Sequence, residues 1–171
     1  MKSLLTITEQ DIVQDAPVVD TANYRKREAA RAVVIDDDGK VALLRVGADN
    51  YHKLPGGGID EGENIQDALE RELLEEIGCK AEVLNEVGAI IEYRDEVELF
   101  QTSYCFTAKQ IGEKGEPDFT EHELNRQFSI VWAENIDDAI AILDDDEPAS
   151  YEGFFIQKRD LVLLRAAKEL L

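Results

Sequence analysis

The first half of the chain shows short apolar runs separated by polar turn residues. Residues 29–35 (AARAVVI) and 41–46 (VALLRV) are apolar and contain β-branched side chains, and the acidic stretch 36–40 (DDDGK) lies between them. Two strand-like runs on either side of such a turn predict a β-hairpin. A weaker run at residues 3–7 predicts a short strand within an N-terminal extension over residues 1–24.

Helical periodicity is clearest over residues 64–77. Apolar side chains recur every four residues, at Ile65, Leu69, Leu73 and Ile77. This spacing is typical of the buried face of a helix, and Gly78 follows where a helix commonly ends. Residues 55–58 (PGGG), just before this segment, predict a loop with unusual backbone freedom.

The second half alternates between strand-like and helical patterns. Strands are predicted over residues 81–93, 97–108 and 128–133, a polar loop over 111–125, and helices over 136–143 and 155–171, the last within a C-terminal helical segment at 151–171. Mixed strands with three interspersed helices favour an α/β or α+β fold with helices on both faces of a sheet. No repeat or Pro/Ser-rich linker interrupts the chain, so we expect one domain over residues 1–171.

The net charge of −20 is spread unevenly along the chain. Residues 25–53 carry seven basic and five acidic side chains, whereas residues 54–126 carry six basic and nineteen acidic ones. A DNA-binding surface needs clustered Lys and Arg, so we expect no nucleic-acid partner. The scattered acids indicate solubility through net charge, and an anionic substrate would require a cation to reverse the local sign.

Other features of the sequence bear on the compartment. No stretch approaches the roughly eighteen apolar residues of a membrane span, so we expect no membrane partner. The N-terminus lacks the apolar run of a signal peptide. Cys79 and Cys105 lack the spacing of a disulfide framework or a zinc site. A reduced, cytoplasmic protein is the resulting expectation.

Three carboxylates share one side of the helix predicted over residues 64–77. Because successive helical residues step by about 100°, Glu72, Glu75 and Glu76 fall within one arc beside the apolar stripe. A solvated acidic face is the simplest interpretation. However, Glu72 and Glu76 repel each other at a spacing that costs about 0.2–0.5 kcal/mol. A hard cation such as Mg²⁺ would remove that repulsion, so a metal site is the alternative interpretation.

The spacing G-x5-E-x7-R-E-U-x-E-E-x-G-U, where U is apolar, occurs at residues 57–79. Its fixed positions are Gly57, Glu63, Arg71, Glu72, Glu75, Glu76 and Gly78, and Leu73 and Cys79 take the two apolar places. The segment resembles the Nudix box of the Nudix (MutT-like) hydrolase family, and Cys79 is its least usual residue. The order of elements from about residue 28 to 135 is also similar to that family.

The resemblance implies an α/β (α+β in some schemes) Nudix-type α/β/α sandwich with a mixed β-sheet. It also implies hydrolysis of a phosphoanhydride in a nucleoside diphosphate linked to another moiety, with Mg²⁺ or Mn²⁺ as cofactor. The implied metal ligands are Glu72, Glu75, Glu76 and the carbonyl of Gly56.

The remaining residues of the box have structural and supporting roles in the same resemblance. Arg71 would orient Glu72, Glu63 would brace the loop against the helix, and Gly57 and Gly78 would be structural. Members of the family place the general base either in the box or in a later loop. We therefore expect Glu121 or Glu123 to serve as base or further ligand, with a solvated acidic loop as the alternative. The neighbouring His122 is suited to proton transfer, but an exposed loop position is its simpler explanation.

Residues that contact the substrate are sought in the one net-positive segment and among the aromatic side chains. Arg27 and Lys53 are the predicted phosphate contacts, with surface solubility as the alternative. Tyr93 is the predicted aromatic contact to a base, with sheet packing as the alternative.

Two other classes of function stay open on the sequence alone. One is a catalytically silent Nudix-fold nucleotide-binding module or sensor, against which the intact glutamates argue. The other is an acidic Ca²⁺-binding or interaction protein, which lacks the D-x-D-x-D-G pattern of such loops. A small-molecule nucleotide is the expected substrate, with nucleoside triphosphates preferred to ADP-ribose-like compounds. Residues 1–24 offer a dimer arm, because an exposed strand edge invites pairing.

Overall fold

The computed structural model describes residues 1–171 as one mixed sheet with helices on both of its faces. The strands are β1 (Ser3–Ile7), β2 (Arg25–Ile35), β3 (Val41–Val46), β4 (Tyr51–Lys53), β5 (Gly56–Gly58), β6 (Lys80–Arg94), β7 (Leu99–Ile111) and β8 (Phe128–Ala133). The helices are α1 (Ile65–Ile77), α2 (Glu121–Asn125), α3 (Ile136–Asp144) and α4 (Tyr151–Lys168). Single 3-10 turns occupy Glu9–Asp11, Gly47–Asp49 and Asp95–Val97.

The sheet has the order β1-β6-β7-β2-β3-β4, and β5 and β8 pair with β2 and β3 outside that path. The pairs β1–β6 and β2–β7 are parallel, while the other pairs are antiparallel. Both directions therefore occur in one sheet, which confirms the predicted mixed architecture.

Two separate apolar cores lie on the two faces of the sheet. Because side chains alternate along a strand, Ala30, Ala32 and Val34 of β2 face α1, whereas Val33 belongs to the core under α3 and α4. The strand-helix layers on both faces confirm the predicted fold class. None of the helices is both long enough and apolar enough to cross a membrane.

The strongest local signals of the sequence give the expected helix. α1 begins after Asn64, whose side chain accepts hydrogen bonds from the N–H groups of Gln66 and Asp67. It ends at Gly78, which adopts the left-handed conformation with φ 63° and whose N–H donates to the carbonyl of Leu74. Glycine adopts this conformation without steric cost, and a side chain does not.

The prediction of a loop over residues 55–58 was wrong for its last three residues. Gly56–Gly58 form β5, which pairs antiparallel with β2 so that Gly56 lies opposite Arg31 and Gly58 opposite Ala29. Three glycines have little intrinsic preference for a strand. Their pairing depends on β2, a strand that lies much earlier in the chain, which local composition does not reveal.

The predicted hairpin exists only at its turn. Ile35 pairs with Val41, but beyond that point β2 pairs along its whole length with β7, and β3 turns away to pair with β8 and β4. A further difference lies in the predicted polar loop over 111–125, because α2 closes that segment. Thr120 and Glu123 form a capping box at its start.

The N-terminal extension adds a strand to its own chain. β1 pairs in parallel with β6, from Ser3 opposite Ala89 to Ile7 opposite Glu92, and Ile7 is fully buried in the core under α4. In this structure the strand within the suggested dimer arm therefore covers an edge of the protein's own sheet. The homodimer stays a prediction.

Candidate active site

The loop before α1 brings its backbone close to the acidic face of the helix. We call residues 54–58, which include the short strand β5, the glycine loop. A β-carbon at Gly56, whose φ is 123°, would collide with the backbone of Ala30 and Arg31. A β-carbon at Gly57 would occupy the place of the Glu72 carboxylate. Glycine at position 56 thus lets β5 lie against β2, and glycine at position 57 leaves the Glu72 carboxylate its place against the loop.

Arg71 donates hydrogen bonds to several groups around the acidic face of α1. Its Nε and Nη2 atoms donate to the two carboxylate oxygens of Glu63, at 3.0 and 2.9 Å. Its Nη1 donates to Glu72 at 2.7 Å and, more weakly, to Glu75 at 3.4 Å, and Nη2 also donates to the carbonyl of Gly58 at 3.0 Å. The hydrogen bonds from Arg71 and the N–H of Asp60 lower the pKa of Glu63. One guanidinium group thus joins the glycine loop to three glutamates, Glu63 just before α1 and Glu72 and Glu75 within it.

Glu76 points away from Arg71 and into the protein. It is 2% exposed, and its two oxygens accept hydrogen bonds from Lys53 Nζ at 2.7 Å and from the N–H of Gly56 at 2.6 Å. Burial raises the pKa of Glu76, although the Lys53 ammonium and the Gly56 N–H oppose that shift. The ammonium group that the sequence assigned to a phosphate is therefore paired with a glutamate of the box.

The glycine loop is held by side chains from three different elements. Arg31 of β2 donates from Nη1 to the carbonyl of Gly56 at 2.8 Å, and burial lowers the pKa of Arg31 to about 10. Asp160 of α4 accepts the N–H of Leu54 at 2.8 Å, and Glu76 of α1 accepts the N–H of Gly56. Backbone groups of this loop are fixed in this way by side chains of other elements, while the side chain of Leu54 is buried in the core under α4.

Two cavities meet at this loop. The outer cavity, of about 810 Å³, lies between the basic residues Arg25, Lys26 and Arg27 on one side and box residues 58–63 on the other. The inner cavity, of about 250 Å³, lies between the glycine loop, α2 and the start of α4. Arg27, Gly58 and Glu72 line both cavities.

Comparison with known proteins decides the family. A sequence model of the NUDIX domain matches residues 25–160, which is most of the chain and includes the box. The chain belongs to the Nudix family. The family predicted from the spacing at residues 57–79 is confirmed.

The curated relatives match this Nudix chain over part of their length. An RNA pyrophosphohydrolase of Sulfurovum sp. (strain NBC37-1) is 58% identical over 45 residues, which are 26% of this chain and 29% of that protein. An RNA pyrophosphohydrolase of Campylobacter jejuni subsp. jejuni serotype O:23/36 (strain 81-176) is 43% identical over 92 residues, 51% of each protein. The chain thus spans between 29% and 51% of these relatives. Their shared name agrees with the predicted enzyme class.

A solved structure supports the fold. The MutT protein from Methanosarcina mazei Go1 superposes with a TM-score of 0.59 at 15% identity, over 86% of this chain and 97% of that one. At this identity the similarity concerns the Nudix fold alone.

The structure distinguishes between the acidic residues predicted outside the Nudix box. Glu123 and His122 line the inner cavity, where Glu72 and Glu76 also lie. Glu121 is exposed and lines neither cavity. The Glu123 carboxylate also accepts hydrogen bonds from the N–H and the hydroxyl of Thr120, at 2.7 and 2.8 Å, which fixes its position on α2.

Tyr93 lies apart from the Nudix box. It lines a separate cleft of about 220 Å³ beneath the N-terminal segment, and its ring meets Phe100 edge-on at 5.1 Å between centroids. Phe100, with Thr102, lines the outer cavity. Tyr93 and Phe100 are directly opposite each other and share one face of the sheet, but only Phe100, on the strand next to β2, lines the outer cavity.

The buried polar residues behind the site were not predicted from the sequence. Glu92, Gln101, Arg159 and Asp160 are fully buried on the face of the sheet that α4 covers. The one available signal was the pair Arg159–Asp160, directly before the apolar run at residues 161–164. Charged residues are almost never fully buried unless they are paired, so their burial depends on partners from distant strands.

The donors of the Nudix box fit a hard divalent cation by their chemistry. All are oxygen atoms, and the missing β-carbon of Gly57 gives the Glu72 carboxylate a place against the backbone that carries the Gly56 carbonyl. The carboxylates of Glu72, Glu75 and Glu76 do not converge on one point in this structure. Glu72 and Glu75 accept hydrogen bonds from Arg71, and Glu76 accepts one from Lys53. The Gly56 carbonyl, which accepts from Arg31, keeps a second lone pair.

Proposed function

We propose that this protein is a metal-dependent hydrolase that cleaves a phosphoanhydride in a nucleoside diphosphate linked to another moiety, with water attacking phosphorus. The observation that carries the proposal is the position of the box glutamates. Glu72 and Glu76 both contact the glycine loop from α1 and line the inner cavity, which Arg27 also lines, and Glu72 and Arg27 line the outer cavity as well. This arrangement sets oxygen donors for a cation beside a cationic contact for phosphate.

Mg²⁺ or Mn²⁺ is the proposed cofactor, and Glu72, Glu75, Glu76 and the Gly56 carbonyl are the residues that would hold it. When bound, such an ion neutralises phosphate charge and lowers the pKa of a coordinated water molecule. The protein supplies the orientation of these ligands. Arg71 holds Glu72 through a charge-assisted hydrogen bond of 2.7 Å, and Glu63 holds Arg71 through two.

Glu123 is the proposed general base or additional ligand. It lines the inner cavity together with Glu72 and Glu76, whereas Glu121 does not. A carboxylate in that position can accept a proton from the attacking water. Arg27 is the proposed phosphate contact, because a guanidinium group matches the geometry of phosphate oxygens.

We propose a triphosphate as the group that is cleaved. Three basic side chains face the Nudix box across the outer cavity, whose size leaves room for a nucleoside beside the phosphates. The curated relatives are named RNA pyrophosphohydrolases, which supports including a triphosphorylated RNA 5′ end beside free nucleoside triphosphates. An ADP-ribose-like substrate is the second candidate from the family resemblance.

Product analysis tests this proposal. The protein is incubated with Mg²⁺ or Mn²⁺ and a panel of nucleoside triphosphates, a 5′-triphosphorylated RNA and ADP-ribose, in ¹⁸O-labelled water. Mass spectrometry then identifies the products and the phosphorus that gained the label. We expect cleavage of a triphosphate-bearing substrate with ¹⁸O in one phosphate product.

Paired variants test the catalytic centre. Glu75→Gln with Glu76→Gln should lower kcat by about 100-fold or more, the scale on which a preorganised electrostatic contact acts. Glu70→Gln is the matched control, because Glu70 is an exposed glutamate of the same helix that lines neither cavity. Turnover that survives the double substitution would disprove the assigned centre. Nucleotide binding without turnover in either metal would instead support a binding module or sensor.

A further inference from the structure

Arg27 is held in one orientation from behind. Its Nη1 atom donates to Oε1 of Gln101 at 2.6 Å, and Nε2 of Gln101 donates to Oε2 of Glu92 at 2.7 Å. Gln101 and Glu92 are both 0% exposed. These contacts form a buried chain of two hydrogen bonds that ends at the half-buried guanidinium of Arg27.

The direction of this chain is fixed by charge. An ionised carboxylate can only accept hydrogen bonds, so the amide nitrogen of Gln101 must face Glu92 and its oxygen must face Arg27. Burial would raise the pKa of Glu92, but the guanidinium groups of Arg159 and Arg94 lower it to about 2. Arg94 also donates to Glu92 at 2.7 Å, which anchors the far end of the chain.

The opposite edge of Arg27 is turned toward the Nudix box. A β-carbon at Gly58 would lie 3.1 Å from Nη2 and 3.4 Å from Nε of Arg27, so glycine leaves room for this edge. Neither atom donates to a protein acceptor, while Nη1 is engaged by Gln101. Nε and Nη2 are the two parallel donors with which arginine binds two oxygens of one phosphate group.

We propose that Gln101 and Glu92 are positioning residues for substrate binding, which present the Nε–Nη2 edge of Arg27 to a phosphate group at the Nudix box. The inference rests on the proposed function and names residues that set the affinity of the protein for its substrate. Because the orientation is built before the substrate arrives, the guanidinium loses little conformational freedom on binding. Gln101 acts entirely through Arg27.

The first test compares kcat and KM for the cleaved substrate. Gln101→Met removes both hydrogen bonds at similar volume and should raise KM about 10-fold, the scale of one charge-assisted hydrogen bond, with kcat within about 2-fold of the parent. Gln110→Met is the matched control, since Gln110 is a buried glutamine of the same strand that bonds to the carbonyl of Gly112, outside both cavities. It should leave KM unchanged.

A double-mutant cycle separates positioning from a general loss of structure. Arg27→Gln should raise KM at least as much as Gln101→Met, and the double variant should be no worse than Arg27→Gln alone. Fully additive effects, or a fall in kcat with KM unchanged, would overturn the inference. If Gln101→Met does not fold, Glu92→Gln is the second variant for the same test. It frees the Gln101 amide to turn over and should also raise KM, and an unchanged KM would contradict the proposal.

A binding measurement keeps this inference distinct from the proposed function. Isothermal titration calorimetry with inorganic pyrophosphate requires no turnover. The dissociation constant should rise about 10-fold in both Arg27→Gln and Gln101→Met, and stay unchanged in Gln110→Met. If a substrate is cleaved but neither variant changes pyrophosphate binding or KM, the positioning role fails and the hydrolase assignment stands. If the substrate panel yields no product but both variants weaken pyrophosphate binding as expected, the hydrolase assignment fails and the positioning role stands.

Discussion

Lys53 supplies a positive charge directly to a buried glutamate of the Nudix box. Its Nζ atom lies 2.7 Å from Glu76, and both side chains are almost inaccessible to solvent. A buried carboxylate without a partner is strongly unfavourable. Lys53 therefore stabilises the folded protein by a contact that lies inside the candidate active site.

Removing this partner should destabilise the protein. Lys53→Met should lower the free energy of unfolding by about 3–5 kcal/mol, the cost of leaving one charge of a buried pair alone. The double variant Lys53→Met with Glu76→Gln should regain most of that loss, because no charge is then left unpaired. Urea unfolding at neutral pH measures both effects.

Lys40→Met is the control for this comparison. Lys40 forms a surface ion pair with Glu134 at 2.9 Å, and such pairs contribute about 1 kcal/mol or less. If Lys53→Met were no more destabilising than Lys40→Met, Lys53 would not be the counter-charge of Glu76.

At the residue scale, contacts between side chains could be predicted from the sequence only where the two residues lie at a helical spacing in the same helix. The four-residue separation on a helix is enough to bring Arg71 to Glu75, whereas the contact of Arg71 with Glu72 was implied by the family resemblance. The direction in which Lys53 points depends instead on how the three-residue strand β4 pairs with β3. That pairing is not encoded locally, so the sequence predicts Lys53 as a phosphate contact but not its contact with Glu76.

At the scale of elements, the end of α1 meets the loop after β7. The N–H of Gly115 donates to the carbonyl of Gly78 at 2.9 Å, and the N–H of Asp118 donates to the carbonyl of Glu75 at 2.7 Å. A β-carbon at Gly78 would lie 2.5 Å from the carbonyl oxygen of Gly115. The glycine thus serves both the helix end and the approach of a second segment.

Two glycines with left-handed backbone separate these two roles. Gly62→Ala, at φ 83° with no neighbour within 4 Å, should cost about 1–2 kcal/mol through the conformation alone. Gly78→Ala should cost about 1–3 kcal/mol more, the range found for overpacking, because the backbone at Gly115 must also move. Urea unfolding of both variants gives the difference. An equal loss of unfolding free energy in the two variants would show that the loop after β7 moves away from residue 78 without an energetic cost.

Elements whose signals are local were predictable, and elements that depend on a distant partner were not. α1 carries its own cap at Asn64, its apolar stripe and its terminal Gly78, so its bounds followed from the sequence. The glycines of β5 carry no such signal and become a strand only by pairing with β2. α2 has the capping pair Thr120 and Glu123, a recognisable signal that the polar composition of its surroundings obscured.

At the scale of the whole molecule, a buried ionic network joins the sheet to α4. Glu92 of β6 contacts Arg94 of the same strand, Gln101 and Ser103 of β7, and Arg159 of α4. The arginines lower the pKa of Glu92 from 4.5 to about 2, although burial alone would raise it. A carboxyl group with a lowered folded-state pKa stabilises the protein above its unfolded pKa, and this contribution is lost as pH falls.

The free energy of unfolding should therefore fall as the pH is lowered from about 4.5 to about 2. Urea unfolding across this window should show a falling free energy of unfolding. Glu92→Gln should be less stable near neutral pH, because Arg94 and Arg159 lose a buried counter-charge, and its decline with acid should be shallower. Glu82→Gln, an exposed glutamate on the same strand, should keep the parental slope. An unchanged slope in Glu92→Gln would contradict the assigned pKa.

The layered architecture could be predicted from alternating strand and helix patterns, but the ionic layer beneath α4 could not. Composition revealed an excess of acid, yet it could not show that Glu92, Asp160 and Arg159 lie where solvent is absent. Their burial follows from the order of strands in the sheet and the docking of α4, which bring together residues from across the chain.

The hydrogen bond from the N–H of Leu54 to Asp160 joins positions 106 residues apart. A ribosome adding about 5–20 residues per second needs roughly 5–20 s to cover that interval. During this time the nascent chain already carries its glutamates, but the helix that fastens the glycine loop has not yet been made. The site is therefore assembled late, and a polypeptide released before residue 160 would carry the whole Nudix box and lack the anchor of its loop.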